Sequence, residues 1–509
     1  MCGIAGLWGE VNTIAVQKMI EIQRHRGPDG HGIAPNKHGV LGHTRLAIMD
    51  PEQGSQPMVN HDRSLTLVAN GMIYNHPDLR RFLLDGHDFV TQSDSETILH
   101  VFEDHDLATP ELLDGMFAFA VYRNGQLVLA RDRIGIKPLY YARQIAADGS
   151  SNLYFASELK ALTNLADDVK EFPPGTVYHS QSGFHAYYEV PHSQPLEREL
   201  FEHIRIVRET IELAVRKRLL SDVPLGAFLS GGLDSSIIAA VAKKYMPQLH
   251  TFAVGAEGSR DLQAARRVAR HIGSSHHEYQ YTAGEVEKNL PEILYHLESF
   301  DQDLVRSAMP TWFCARLVSE HVKVILTGEG ADELFAGYKY HKRITDEQAL
   351  HHELRDSISR LHNINLQRVD RMTMRHGVEA RVPFLDTDVI AMAQTIPPHL
   401  KLFTDPNGYR IEKWILRKAF EDMLPAEIVW REKEQFDEGS GMVAMVPQVL
   451  AKMAEGMDSA QYRAKYASDR LRSGEECFYH HMLMQQFDKP AAVLANVGRW
   501  QFEQQGSGA

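Results

Sequence analysis

At 509 residues the chain is longer than one hydrophobic core serves, so two domains, or three, are expected. Its 43% hydrophobic and 24% charged content is ordinary for a globular protein, and 54 Lys and Arg against 67 Asp and Glu give a net charge of −13, which argues against a broad nucleic-acid surface but leaves room for a local phosphate pocket. No apolar run is long enough to span a bilayer, Met1-Cys2-Gly3 opens no secretory leader, and the scattered Cys2, Cys314 and Cys477 form neither a disulfide framework nor a cysteine zinc site, which predicts a cytoplasmic chain.

Short β runs come first, at Ile4–Trp8, Gly39–Met49, Leu65–Asn70, Met116–Tyr122, Gln126–Arg131 and Leu153–Ala156. Amphipathic helices are predicted among them at Thr13–Arg24 and Ser95–His105, a mixture that points to an α+β domain with layered antiparallel sheets. Ser180–Glu199 carries Gly, Ser, Pro and Gln without periodicity and reads as a linker. The rhythm then changes to helix Leu200–Leu219, strand Gly226–Leu229, helix Ser235–Tyr245, strand His250–Val254, helix Leu262–Ile272, and strands His277–Tyr281 and Val322–Leu326. Strands alternating with helices predict a parallel, doubly wound sheet, and from about Ala349 onward the pattern is mostly helical.

Removal of Met1 would make Cys2 the first residue. A thiol beside its own α-amine has a built-in base, because that amine titrates near about 7.7–8.0. Alone, a cysteine at position 2 is more often a small buried residue. It stands, however, in Cys2-Gly3-Ile4-Ala5-Gly6, followed in order by Arg24-His25-Arg26-Gly27-Pro28-Asp29-Gly30, Gly42-His43-Thr44-Arg45-Leu46-Ala47-Ile48, Asn70-Gly71-Met72-Ile73-Tyr74-Asn75 and Ser93-Asp94-Ser95-Glu96. On these strings the first part of the chain resembles the class II glutamine amidotransferases, whose N-terminal Cys attacks the glutamine side-chain amide. The resemblance implies Cys2 as nucleophile and the Asn70 side chain and Gly71 N–H as oxyanion donors. It assigns the glutamine carboxylate to Arg45 and the ammonium to Asp94, with Leu46, Ala47, Ile48, Met49 and Met72 completing the pocket. Arg26 and Asp29 read as structural salt-bridge residues. The family usually has Glu where Met72 stands; a lost charge-assisted contact of ~1.5–3 kcal/mol predicts weaker glutamine binding.

Ser230-Gly231-Gly232-Leu233-Asp234-Ser235-Ser236 falls between an apolar strand and a helix, where glycines admit an anion and the helix N-terminus aims N–H groups at it. It lacks the Gly-Lys-Ser/Thr ending of a Walker loop, so γ-phosphate transfer is not implied. The string resembles the pyrophosphate loop of the ATP pyrophosphatases, which split ATP into AMP and pyrophosphate. Thr327-Gly328-Glu329-Gly330-Ala331-Asp332-Glu333, the stretch Gly377 to Asp386 and Arg431-Glu432-Lys433-Glu434-Gln435-Phe436 then resemble the asparagine synthetase domain of the glutamine-hydrolysing type.

That second resemblance implies an acyl-adenylate opened by ammonia that reaches it through an internal channel. ATP contacts fall on Leu229, Ser230, Gly231, Gly232, Asp234, Ser235, Val254, Thr327 and Gly328, and Mg²⁺ on Asp234 and Asp332. Glu329 would help form the acyl-adenylate and deprotonate ammonia, Lys433 would stabilise charge on the phosphate, and Arg306 would bind the acceptor. Asparagine-forming relatives often carry two threonines just before that arginine. Here Asp303 and Leu304 stand there, so the acceptor is aspartate by default or else a different carboxylic acid.

The expected protein is an α+β N-terminal nucleophile glutaminase domain (αββα) over residues 2–185. An α/β doubly wound synthetase domain with a helical C-terminal part follows over 200–509. The expected partners are glutamine, ATP and an acid, with no nucleic acid and no membrane; a homodimer stays open, since relatives are commonly dimers.

Overall fold

The computed structural model describes residues 2–145 and 151–499; Met1 lies outside them. The first half holds strands β1 (Cys2–Trp8), β2 (Gly30–Asn36), β3 (Gly39–Arg45), β4 (Met58–Val59), β5 (Leu65–Ile73), β6 (Gly115–Arg123), β7 (Gln126–Arg131), β8 (Tyr140–Ile145), β9 (Ser151–Ala156), β10 (Val169–Glu171), β11 (Thr176–His179) and β12 (Gly183–Ala186). They make two six-stranded antiparallel sheets, ordered β10-β8-β9-β1-β3-β2 and β12-β11-β7-β6-β5-β4. Side chains alternate across each strand, and the sequence uses both faces. Ile4, Leu41, Val68, Ala118, Ala120 and Phe155 pack together between the sheets. Ala5, Leu7 and Val40 turn outward onto Val16, Met19 and Ile20 of helix α1 (Thr13–Ile22), and Leu65, Leu67 and Ala69 turn onto Ile98, Leu99 and Phe102 of helix α2 (Asp94–His105). The result is four layers, αββα. Cys2 has the parity of Ile4 and Asn70 that of Val68, so both project into the layer between the sheets.

The stretch expected as a linker, Ser180–Glu199, is only partly one. Gly183–Ala186 is the edge strand β12, paired antiparallel with β11; 180–182 form the turn before it and 187–199 lack a regular element. One half-exposed edge strand without apolar alternation leaves little periodic signal.

The second half centres on β13 (Leu225–Phe228), β14 (His250–Gly255), β15 (Ser275–Gln280), β16 (Val324–Leu326) and β17 (Glu379–Arg381), all parallel, in the order β15-β14-β13-β16-β17. Numbered within this sheet, that order is 3-2-1-4-5, a doubly wound arrangement whose direction reverses between β13 and β16. Ligand crevices open there, beyond the carboxyl ends of the strands. Among the described residues no helix is long and apolar enough to cross a membrane.

A charged network joins the halves. Arg26, fully buried, places Nη1 2.8 Å from Glu158 Oε1 and 2.7 Å from Asp370 Oδ2, with Nη2 3.2 Å from Asp370 Oδ1. Asp370 lies on helix α3 (Asn365–Met374) of the second half, whose Arg371 reaches Glu298 at 2.9 Å and Glu158 at 3.5 Å. Asp29 takes Lys323 Nζ at 2.8 Å. Arg26 and Asp29 are thus held in ion pairs, not with each other: Arg26 with Glu158 of its own half and Asp370 of the other, Asp29 with Lys323 of the other.

Candidate functional site

Two centres emerge. In the first, the Cys2 backbone nitrogen donates to Asn70 Oδ1 at 3.0 Å, and Arg26 Nε donates to the Cys2 carbonyl at 3.1 Å. With its oxygen so engaged, Asn70 leaves Nδ2 buried without a hydrogen-bond partner. Such a group costs stability unless a ligand satisfies it. Burial pushes the Cys2 thiol up, against the Leu46 N–H and Arg45, which pull it down. Gly71 is obligatory: a Cβ there would stand 2.1 Å from Met116 O.

Beside Cys2 is a cleft of about 30 Å³ lined by Arg45, Leu46, Ile48, Met49, Gly71, Met72, Asp94 and Glu379, among others. Arg45 donates to Pro51 O at 2.9 Å and Asp50 O at 2.6 Å, so its charge is oriented by carbonyls. Asp94, the first residue of α2, accepts from Ile73 N at 2.9 Å, and burial raises its carboxyl to about 6, aided by the nearby charge of Glu379. Ala47, expected in the pocket, is outside its lining because its N–H is turned to Asp29 Oδ2 at 2.8 Å. Met72 is 1% exposed and packs with Leu46, Ile48, Tyr74 and Met116. Glu379, which sequence reasoning missed, comes from β17 of the other half; burial alone would raise its carboxyl, but Arg381, with Nε at 2.6 Å, and Lys137 hold it down, to about 2.

The second centre is a cavity of about 350 Å³ at the carboxyl ends of β13 and β16, within the range of small-ligand pockets. Its wall includes Leu229, Ser230, Gly232, Asp234, Ser235, Val254, Thr327, Gly328, Glu329, Asp332 and Lys433. Gly231 is absent from the lining; it makes the turn, at φ +74°, where a Cβ would strike Ala264 at 2.5 Å. The loop feeds the N-terminus of helix α4 (Leu233–Tyr245).

Two acids and two lysines interlock across this cavity. Lys413 Nζ lies 2.6 Å from both Asp234 Oδ2 and Asp332 Oδ1, and Lys433 Nζ lies 2.8 Å from Asp332 Oδ2 and 4.0 Å from Asp234 Oδ2. Burial works against the Asp332 carboxylate, yet Lys413 and Lys433 hold its carboxyl well below the usual range. Against the pull of desolvation, Asp332 and Asp234 in turn hold the half-buried Lys433 ammonium above its ordinary value. Asp234 Oδ1 is buried without a hydrogen-bond partner, so a donor oxygen is free for a cation. Glu329 is raised by burial and pairs with Arg368 of α3.

Arg306 departs from its expected place. Its guanidinium is clamped on Glu475, Nε to Oε1 at 2.9 Å, and it does not line the cavity. Asp303 and Ser307 on the same helix do, while Leu304 is fully buried in the core. Lys413, Arg368 and Arg431 line the cavity as well. Lys413 had no usable sequence signal, because it stands outside the quoted strings and takes a left-handed conformation (φ +53°) just before a short helix.

The centres share structure. On β17, Glu379 lines the cleft by Cys2 while Arg381 O accepts the N–H of Thr327 in the large cavity at 2.9 Å. On α3, Arg368 faces the large cavity and Asp370 grips Arg26, which holds the Cys2 carbonyl.

An amidotransferase layer fold joined to a nucleotide-sized cavity on a doubly wound sheet defines a two-domain class. Residues 1–222 match the glutamine amidotransferase domain family, and residues 206–348 and 342–505 match the asparagine synthase family. Among curated proteins, the chain is 41% identical to asparagine synthetase [glutamine-hydrolyzing] 3 of Arabidopsis thaliana over 98% of this chain and 89% of that one. It is 38% identical to that organism's asparagine synthetase 2, again over 98% and 89%, and 37% identical to the asparagine synthetase of Asparagus officinalis over 96% and 86%. The chain belongs to the family of glutamine-hydrolysing asparagine synthetases.

Proposed function

We propose that this chain converts aspartate, glutamine, ATP and water into asparagine, glutamate, AMP and pyrophosphate. The observation that carries the reading is the junction of an unpaired Asn70 Nδ2 beside Cys2 with a phosphate-loop cavity holding Glu329, in one chain whose relatives bear that name.

In the first half-reaction the Cys2 sulfur attacks the glutamine side-chain amide and the C–N bond breaks to release ammonia. Water then cleaves the resulting glutamyl thioester to glutamate and the free thiol. The raised Cys2 thiol requires a base, supplied by the α-amine that removal of Met1 would free. Asn70 Nδ2 and the Gly71 N–H receive the developing oxyanion, a contribution of about 3–4 kcal/mol for one such donor. Arg45 takes the glutamine carboxylate and Asp94 its ammonium. In the second, the loop Ser230 to Gly232 and the N-terminus of α4 receive the ATP phosphates while the aspartate side-chain carboxylate attacks the α-phosphorus and pyrophosphate leaves. Lys433 faces the charge that builds there. Asp234 and Asp332 would hold Mg²⁺, which when bound neutralises the phosphate oxygens. Glu329 takes a proton from ammonia as the nitrogen attacks the acyl-adenylate and AMP departs. Ammonia crosses between the centres inside the protein, past the elements that touch both, β17 and α3.

The reading has a pH signature. Protonation of the α-amine on acidification removes the base, and protonation of Asp94 near about 6 then removes the ammonium partner as well. The profile of log kcat/KM for glutamine hydrolysis is expected to steepen from a slope of about one to about two below pH ~6, since kcat/KM reports groups of the free enzyme. In Asp94→Asn the second break disappears; a break that persists assigns it elsewhere.

The acceptor is tested by ATP-dependent pyrophosphate release over a panel of carboxylic acids with glutamine or ammonium as donor. Aspartate is expected to give the strongest signal, with asparagine accumulating; an inert aspartate beside another acid that turns over would overturn the acceptor assignment.

A further inference from the structure

A second set of ligating side chains, His100 and Glu103 on α2 and His87 in the segment before it, lies outside both centres. His87 Nδ1 stands 3.0 Å from Glu103 Oε2, and His100 Nδ1 stands 2.6 Å from the same oxygen. The donor atoms of the three residues all lie within 4.8 Å of one another. Tetrahedral zinc with bonds of about 2.0–2.1 Å sets its ligands roughly 3.3 Å apart, so opening this cluster by less than about an ångström admits the ion.

The outer atoms of His87 and Glu103 are also provided for, and that of His100 faces a carboxylate beyond hydrogen-bond range. His87 Nε2 meets Asp104 Oδ2 at 3.0 Å, Glu103 Oε1 accepts from Asn60 Nδ2 at 2.7 Å, and His100 Nε2, buried and without a hydrogen-bond partner, has Glu96 Oε1 at 3.8 Å. Carboxylates behind ligating imidazoles fix the ring and raise its basicity. The side chains are shielded, His87 at 13% exposure and His100 at 4%. Among the described residues no Lys or Arg pairs with Glu96, Glu103 or Asp104. Arg80 is turned away onto the Phe89 ring and Thr91 O. The other His-carboxylate cluster, His25, Glu158 and His296, differs in this respect, because Arg26, Lys160 and Arg371 crowd Glu158 at 2.8, 2.7 and 3.5 Å and oppose a further cation.

We propose that His87, His100 and Glu103 form a binding site for a zinc-class divalent ion, with a fourth position open to water. The ion pins the segment carrying His87 to α2, the helix that begins with Asp94.

The test uses the full chain with Cys2→Ala, which removes the cleft thiol as a competing ligand, after chelator treatment. Titration with Co²⁺ is expected to produce the visible bands of a four- or five-coordinate ion, saturating at one equivalent and lost on adding Zn²⁺. In His87→Gln and in Glu103→Gln the affinity is expected to fall by about tenfold or more. Zn²⁺ is expected to raise the unfolding temperature of the parent by a few degrees and that of His87→Gln not at all. Absent bands, or bands and a shift equally strong in His87→Gln, would overturn the proposal. His87 lies in a surface segment between helices, so its replacement decides the matter even where substitution at α2 unfolds the domain.

Discussion

Replacing Cys2 with alanine is expected to lower glutamine-dependent pyrophosphate release by about 10⁴-fold or more while leaving ammonium-dependent release within about twofold. The split follows from geometry. Cys2 lines the small cleft and takes no part in the wall of the large cavity, whose loop, acids and lysines come from β13, β16 and the later helices. Alanine fits the site: Cys2 is 8% exposed, its backbone nitrogen and carbonyl keep their bonds to Asn70 and Arg26, and only the sulfur is lost. Pyrophosphate release with each nitrogen donor, at saturating ATP and aspartate, checks it. An equal fall with both donors would mean that Cys2 acts through structure.

The second large effect concerns stability. Asp370→Ala is expected to cost about 3–5 kcal/mol, because it leaves Arg26 and the neighbouring Lys137 as under-compensated buried charges. Asp370 is 1% exposed, makes both Nη contacts of Arg26 on the α3 side and lies 3.8 Å from Lys137 Nζ. Asp370→Asn keeps the shape and an acceptor oxygen and is expected to lose less. Urea unfolding followed by fluorescence is expected to show the first transition lowered by about 1 M or more in the alanine variant. Because Arg26 also holds the Cys2 carbonyl, glutamine hydrolysis falls with it. An unchanged midpoint would make the network a spectator of the fold.

Much of this architecture was legible in the residues because period and position agree. The apolar run Ile4–Trp8 of β1, and the apolar run ahead of Ser230, mark strands and a strand-to-helix loop in the residues themselves. β17 was not legible. Glu379-Ala380-Arg381 carries two charges in three residues and no apolar run, yet all three residues are buried, and the two charges neutralise each other at 2.6 Å inside the sheet. Lys413 and Arg368 were hidden for a related reason: their partners, Asp234 and Glu329, lie 179 and 39 residues away, so nothing local marks them. Arg306 is drawn from the cavity wall by a long-range partner too, since Glu475 lies 169 residues further on. Motif strings carry the groups that face a ligand; the ion pairs that orient those groups are set by tertiary neighbours that single-sequence patterns do not record.

Labelled nitrogen follows the amide from the Cys2 cleft to the product. With [amide-¹⁵N]glutamine, aspartate, ATP and an excess of unlabelled ammonium below its own saturation, asparagine is expected to form with ¹⁵N in its amide, one AMP and one pyrophosphate accompanying each molecule. Release of ADP and phosphate in place of AMP and pyrophosphate, or label found only in free ammonium while asparagine stays unlabelled, would contradict it.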